Sequence, residues 1–155
     1  MTLAQRLSAG LALMTLGTTP LQSQERSIPR DQLPPAVAAT AAEHSRQGTV
    51  LGYTREQEGG QTYYEVALLV AGRHRDVLID CSGVVVEIEQ ELPFDSLPSP
   101  AQSALRAKAA GGRIRTVEAL TKKGRLVAYE AHLGRGERAR EIQVGPKGET
   151  LPHEE

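Results

Sequence analysis

The alternation of apolar and polar residues in the middle of the chain predicts β-strands. In the segment QTYYEVALLVAGRHRDVLIDCSGVVV (61–86), alternate positions are apolar over 64–68 and again over 77–79. Turn residues separate these runs at Ala71-Gly72 and at 80–83. Period-two alternation between glycine-bearing turns is typical of antiparallel hairpins. The segment is therefore expected to form a strand-turn-strand-turn-strand unit.

A second copy of this pattern follows 65 positions later. The aligned pairs, reached without a gap, are Tyr64 and Tyr129, Glu65 and Glu130, Leu68 and Leu133, Asp76 and Glu141, and Gly83 and Gly148. Self-similarity at a fixed spacing indicates repeated structural units. It predicts architecture more strongly than activity.

An alanine-rich segment precedes each set of strands and predicts a helix. The first segment opens at Pro34-Pro35 and ends before Gly48, and the second opens at Ser99-Pro100 and ends at Gly111-Gly112. Proline in the first helical turn and glycine after the last are the expected start and stop signals.

These elements predict an α+β fold of two tandem α-β-β-β-β repeats, over 33–92 and 93–155. The repeats are expected to form one antiparallel sheet of about eight strands with two helices on one face. Because successive side chains of a strand point to opposite faces, the alternation places an aliphatic set of residues toward the helices. The opposite face is mixed, and six of its residues are candidates for partner binding. They are Tyr63, Glu65, Leu69, Leu78, Glu130 and His132.

The first 23 residues resemble a secretory signal. Arg6 precedes a ten-residue apolar run, and Gly17 and Pro20 then interrupt any helix. Such a run is too short to span a bilayer, so no membrane span is expected in the mature chain. The alternative is a disordered amphipathic N-terminus. A signal predicts a periplasmic or secreted protein, with residues 24–32 as a flexible leader.

Short motifs in both halves resemble the PepSY-like, β-lactamase-inhibitor-like periplasmic proteins. The motifs are Leu33-Pro34 before the first helix, Tyr64-Glu65-Val66, the turn from Asp80 to Gly83, and their counterparts Leu97-Pro98, Tyr129-Glu130-Ala131 and Gly148. The resemblance covers about residues 33–151. It implies tandem helix-plus-four-strand repeats whose open sheet face binds another protein. The chain departs from the pattern at Gly145, which stands in place of the second turn aspartate.

Candidate chemistry is sparse. Glu130 and His132 offer two metal ligands, which are fewer than a zinc site needs, so no metal site and no cofactor are predicted. Cys81 has no neighbouring base in sequence, and no nucleophile motif is present. A net charge of −1 and 3% aromatic residues argue against nucleic-acid binding.

The expected function is therefore that of an exported, non-catalytic binding module. Its open sheet face is expected to dock a protein partner, such as an envelope enzyme or a peptidase, in the manner of an enzyme inhibitor. One alternative is a small-ligand or metal-binding protein that uses Glu130, His132 and nearby carboxylates. Another is a structural or stress-tolerance protein without a specific partner.

Overall fold

Eight strands form one antiparallel sheet in which each strand pairs with its neighbours in sequence. The computed structural model describes residues 24–135 and 139–152. In chain order the elements are β1 (Gln24–Ile28), α1 (Pro35–Ser45), β2 (Thr49–Glu58), β3 (Gln61–Val70), β4 (Arg73–Asp80), β5 (Val85–Leu92), α2 (Ser99–Ala109), β6 (Ile114–Lys122), β7 (Arg125–Leu133) and β8 (Arg140–Val144). The expected α+β class and the open antiparallel sheet are confirmed.

Both helices lie on the same face of this sheet. The α1 helix packs on β3 and β4, and α2 packs on β7 and β8. Residues directly opposite on antiparallel strands share a face, and the register connects Val77 to Ile88 and Leu92 to Val117. Ile88 and Leu92 are four residues apart on β5, so the apolar set continues across the strand that joins the two halves.

Small residues at helical spacing let each helix lie close to the sheet. Val37 and Ala41 are buried on α1, and Ala101, Leu105 and Ala109 are buried on α2. They face two aliphatic clusters, one built on β3 and β4 and the other on β6 to β8. Burying a side chain such as Leu105 is worth about 1.5–3 kcal/mol, so these clusters hold the helices in place.

Within the expected flexible leader, residues 24–32, the first five residues instead form a strand of the sheet, and residues 30–32 form a short 3-10 helix. Strand β1 pairs with β2 along its whole length, with Ile28 opposite Tyr53. Ile28 is 7% exposed and belongs to the α1 cluster, so one apolar side chain anchors an otherwise polar segment. At the other end, residues 145–152 contain no strand. The eighth strand is therefore β1 and not a fourth strand of the second half.

The predicted signal segment, residues 1–23, lies outside the described residues, as do residues 136–138 and 153–155. Neither helix in the described part of the chain has the length and apolar character that a membrane crossing requires.

The first turn of each helix contacts a glycine turn, which contains Gly83 in the case of α1 and Gly148 in the case of α2. A Cβ on Gly83 would lie 2.9 Å from the Ala36 carbonyl oxygen, and one on Gly148 would lie 2.5 Å from the Pro100 carbonyl oxygen. Both glycines have positive φ, +88° and +80°. Thr40 also donates a hydrogen bond to the Gly83 carbonyl at 2.7 Å. These turns fix the helices against the ends of β4 and β8.

We expect Gly148→Ala to destabilise the protein by about 2 kcal/mol or more, because it adds a steric clash to the cost of a left-handed backbone. Gly124→Ala is the matched control, since Gly124 has a φ of +75° but no atom within 4 Å of the added Cβ. Denaturant unfolding of both variants measures the difference. Equal destabilisation would show that the contact with α2 contributes nothing.

Candidate functional site

The sheet face opposite the helices, called the open face below, is covered by no helix in the described part of the chain. Strand register places a series of carboxylates on it. They are Glu25, Glu56, Glu65, Asp76, Glu87, Glu89, Glu91, Glu118, Glu130 and Glu141. Among described residues, the basic side chains on this face are His74, Lys122, His132 and, at a hairpin end, Arg125. The open face is therefore strongly acidic.

His132 lies at the centre of the densest part of this face. Its Nε2 is 3.1 Å from Glu118 Oε2 and 3.3 Å from Glu130 Oε1, and its Nδ1 is 3.3 Å from Glu141 Oε1. Glu130 also accepts a hydrogen bond from Gln143 Nε2 at 2.6 Å. Strands β6, β7 and β8 bring these residues together, because Glu118 lies opposite Glu130 and His132 lies opposite Glu141.

The surroundings of this cluster shift its protonation. Hydrogen bonds to Glu118 and Glu141 raise the pKa of His132 to about 10, so the imidazole is a cation at neutral pH. Burial raises the pKa of Glu130 to about 7, and the hydrogen bond from Gln143 opposes this change only in part. The imidazolium thus holds three carboxylates at a site where one of them is half protonated near pH 7.

Crowding of like charges extends to β5. Burial and the neighbouring Glu89 raise the pKa of Glu87, although Lys122 lies 3.6 Å away. Glu87 and Glu89 are two residues apart on one strand and therefore share a face. Neighbouring carboxylates thus lie close together on β5 as well as around His132.

The six residues proposed from sequence all lie on the open face but form two separate groups. Tyr63, Glu65 and Leu69 are on β3, with Leu78 opposite Glu65 on β4. Glu130 and His132 are on β7, three strands from β4. Strand spacing puts the groups about 14 Å apart. They are two areas of one surface.

Sequence reasoning missed the partners that complete the His132 cluster. It named Glu130 and His132 but assigned no role to Glu118, which comes from β6. One nitrogen or oxygen atom from each of these three residues lies within 4.8 Å of the others. Alternation places Glu118 on the open face, yet only the register between β6 and β7 brings it opposite Glu130.

The turn that follows β4 has a structural role. One carboxylate oxygen of Asp80 accepts hydrogen bonds from the Ser82 amide, the Ser82 hydroxyl and the Val84 amide at 2.6–3.0 Å. These bonds lower the pKa of Asp80. Cys81 is exposed, and its thiol donates to the Thr62 carbonyl at 3.2 Å. The arrangement agrees with the β-turn expected from Asp80 and Gly83.

We expect Glu118→Gln to lower the pKa of His132 by about 1–3 pH units, because it removes one of three carboxylates that stabilise the imidazolium. Titration of the imidazole protons by NMR measures the change, with the resonance assigned by its loss in His132→Asn. Glu43→Gln, which removes a carboxylate from α1, should leave this pKa unchanged. An unaltered titration in Glu118→Gln would contradict the described contact.

Comparison with known proteins gives a fold and no family assignment. No family model matches the chain, and no curated protein matches it. A DUF2874 family protein from Bacteroides ovatus has a similar structure, with a TM-score of 0.60, 18% identity and coverage of 78% of this chain and 86% of that one. A protein from Bacteroides eggerthii has a TM-score of 0.61 and 19% identity, with coverage of 76% of this chain and 85% of that one. A BLIP-like protein from Bacteroides fragilis has a TM-score of 0.55 and 18% identity, with coverage of 75% of this chain and 81% of that one. At these identities the likeness establishes the fold alone.

Proposed function

We propose that this protein is an exported, non-catalytic binding module whose open face docks the basic surface of a protein partner. The observation that carries the proposal is the excess of carboxylates over cations on an uncovered sheet face. Electrostatic complementarity of this kind accelerates association and selects partners by charge. A partner rich in lysine and arginine fits this face best.

The raised pKa values of Glu87 and Glu130 support a cationic partner. Burial and neighbouring acids disfavour the ionised form of both carboxyls and raise the pKa of each. A lysine or arginine of the partner placed beside either carboxyl would favour its ionisation. Docking would thus relieve a repulsion that the free protein contains.

Half-buried apolar side chains beside the acids provide the anchor of the proposed interface. Tyr63, Leu69 and Leu78 lie around Glu65 on β3 and β4. Binding energy at protein interfaces concentrates in a few such residues, aromatic ones above all, whereas charges at the rim set rate and selectivity. We assign Tyr63 and Leu78 the anchoring role.

Export to the periplasm and an inhibitor-like role belong to the same proposal. The signal-like residues 1–23 support export, and the related fold from Bacteroides eggerthii is described provisionally as periplasmic. The BLIP-like fold from Bacteroides fragilis supports a role in binding another protein. The PepSY-like resemblance and the boundaries 33–92 and 93–155 remain sequence predictions.

Duplication of one unit is a further part of the proposal. The 65-residue offset that aligns the sequence halves also relates α1 to α2 within a residue, and relates β2 to β6 and β3 to β7. In this frame β1 and β5 each precede a helix, so the repeated unit is β-α-β-β-β. Two such units would supply one continuous open face.

We expect Glu87→Gln with Glu89→Gln to reduce capture of the partner from the native envelope fraction by about tenfold or more. The reason is the loss of two charges at the centre of the acidic surface. The partner is identified by mass spectrometry, and its retention is then measured against salt. A second variant, Tyr63→Ala with Leu78→Asp, should lose capture by removing the apolar anchor.

Glu43→Gln with Asp95→Asn is the matched control, because it removes two exposed carboxylates that lie off the open face. It should retain the partner like the wild type. Thermal unfolding confirms that each variant is folded. Equal retention by the control and by both open-face variants would overturn the proposal.

Metal binding is the second candidate, and the three donor atoms of Glu118, Glu130 and His132 within 4.8 Å favour it. A metal must first displace the proton of His132, whose pKa is about 10. At pH 7 this competition reduces apparent affinity by roughly a thousandfold. Protein docking is therefore the better-supported function.

We expect zinc added at pH 7 to leave the NMR resonance of the His132 imidazole unchanged at one equivalent, because the proton outcompetes the metal. A shift that saturates at one equivalent in the wild type and disappears in Glu118→Gln would favour the metal site instead.

A further inference from the structure

A cleft separate from the His132 cluster opens where the end of α2 meets the start of β6. Its volume is about 550 Å³, which lies within the range that holds small organic ligands. The wall residues come from β4, from the end of β5 and the segment that joins it to α2, from the last turns of α2 and from the first residues of β6. Elements of both halves of the sheet therefore build it.

The floor of the cleft is apolar. Leu92, Phe94, Ile114 and Val117 line it, and all four belong to or pack against the α2 core cluster. Gly112 shapes the wall beside them, since a Cβ there would lie 2.9 Å from both the Ala109 carbonyl and Leu133 Cδ2. An apolar part of a ligand would therefore meet a surface that is fixed by the core.

Three arginines surround this floor and one carboxylate opposes them. The Arg106 guanidinium lies 4.7 Å from the centre of the Phe94 ring, which orients it across the cleft. Arg115 donates to the Gly134 carbonyl at 3.3 Å. Arg73 is 3.9 Å from Glu91, whose other oxygen accepts a hydrogen bond from the His74 amide. The lining thus carries a net charge of about +2.

Two neighbouring features strengthen this positive potential. The Ala109 carbonyl at the end of α2 accepts hydrogen bonds from the Gly112 amide and from Arg140, both at 2.8 Å, so the Arg140 guanidinium adds positive charge at this helix end. A second depression shares Ile114 and Arg115 with the cleft and adds Arg113 and Arg135 without any acid. This end of the molecule is basic, in contrast to the open face.

We propose that the cleft binds an organic anion in which a carboxylate or comparable acid group is joined to an apolar body. The acid group lies between Arg106 and Arg115, and the apolar body rests on Phe94 and Ile114. Arginine suits this role because its planar fork binds carboxylates through two hydrogen bonds. Apart from Glu91 at its edge, the cleft shares no named residue with the surface proposed for protein docking.

Isothermal titration calorimetry with dodecanoate, kept below its micelle concentration, tests the proposal. We expect one molecule to bind per chain, and we expect neither inorganic phosphate nor dodecyltrimethylammonium to bind at the same concentration. Arg106→Gln with Arg115→Gln should weaken dodecanoate binding at least tenfold, because two charge-assisted hydrogen bonds are lost. Arg46→Gln with Arg125→Gln, which removes two charges elsewhere, should bind like the wild type.

Three results would overturn the proposal. They are no binding of dodecanoate, equal binding of the cationic analogue, and unchanged affinity in a folded Arg106→Gln, Arg115→Gln variant. If phosphate bound as strongly as dodecanoate, the apolar body would contribute nothing to binding, and that part of the proposal would be wrong. The capture experiment on the open face uses other residues, so the two proposals fail independently.

Discussion

Two short helices can cover only one side of an eight-stranded sheet, and this constraint shapes the rest of the molecule. Each helix has 11 residues and is therefore about 16 Å long, whereas eight strands extend over roughly 34 Å. The aliphatic residues that α1 and α2 bury account for one face. The other face must be stabilised by its own side chains.

The protein meets this requirement with ionised and hydrogen-bonded groups. Leu120 and Ala128 face away from the helices and lie opposite each other, yet they are 2% and 0% exposed. Longer side chains on the same face therefore shield them. His132 holds three of the surrounding carboxylates in place, and this makes a dense acidic surface compatible with a stable sheet. The same surface is available to a cationic partner.

The opposite charges of the open face and of the arginine-lined cleft separate two modes of recognition. An extended acidic sheet with half-buried Tyr63 and Leu78 suits a protein surface. An open cleft with an apolar floor and arginines at its rim suits a small anion. A protein with both features would bind a protein partner through one and a small ligand through the other.

Alternation and turn residues were sufficient to predict β2 to β8, both helices and the faces of individual residues, but they also predicted a fourth strand in the second half that residues 145–152 do not form. Tyr63, Glu65 and His132 lie on the predicted face because period-two alternation depends only on local geometry. Strand β1 escaped prediction because a single apolar residue, Ile28, anchors it. Glu118 was missed because the pairing of β6 with β7 depends on two register shifts, at 114–116 and 120–121, that sequence alone does not reveal.

The central claim is that His132 holds a partly buried acidic face in place. The most direct test is to measure the free energy of unfolding as a function of pH. Folding raises the pKa of Glu130 from 4.5 to about 7 and that of His132 from 6.5 to about 10. The native state therefore binds more protons, and stability should fall steadily from pH 5 to pH 9. Glu130→Gln should flatten the part of this fall between pH 5 and about pH 7, whereas Glu43→Gln should not. Stability that stays level or rises across this range would contradict the account.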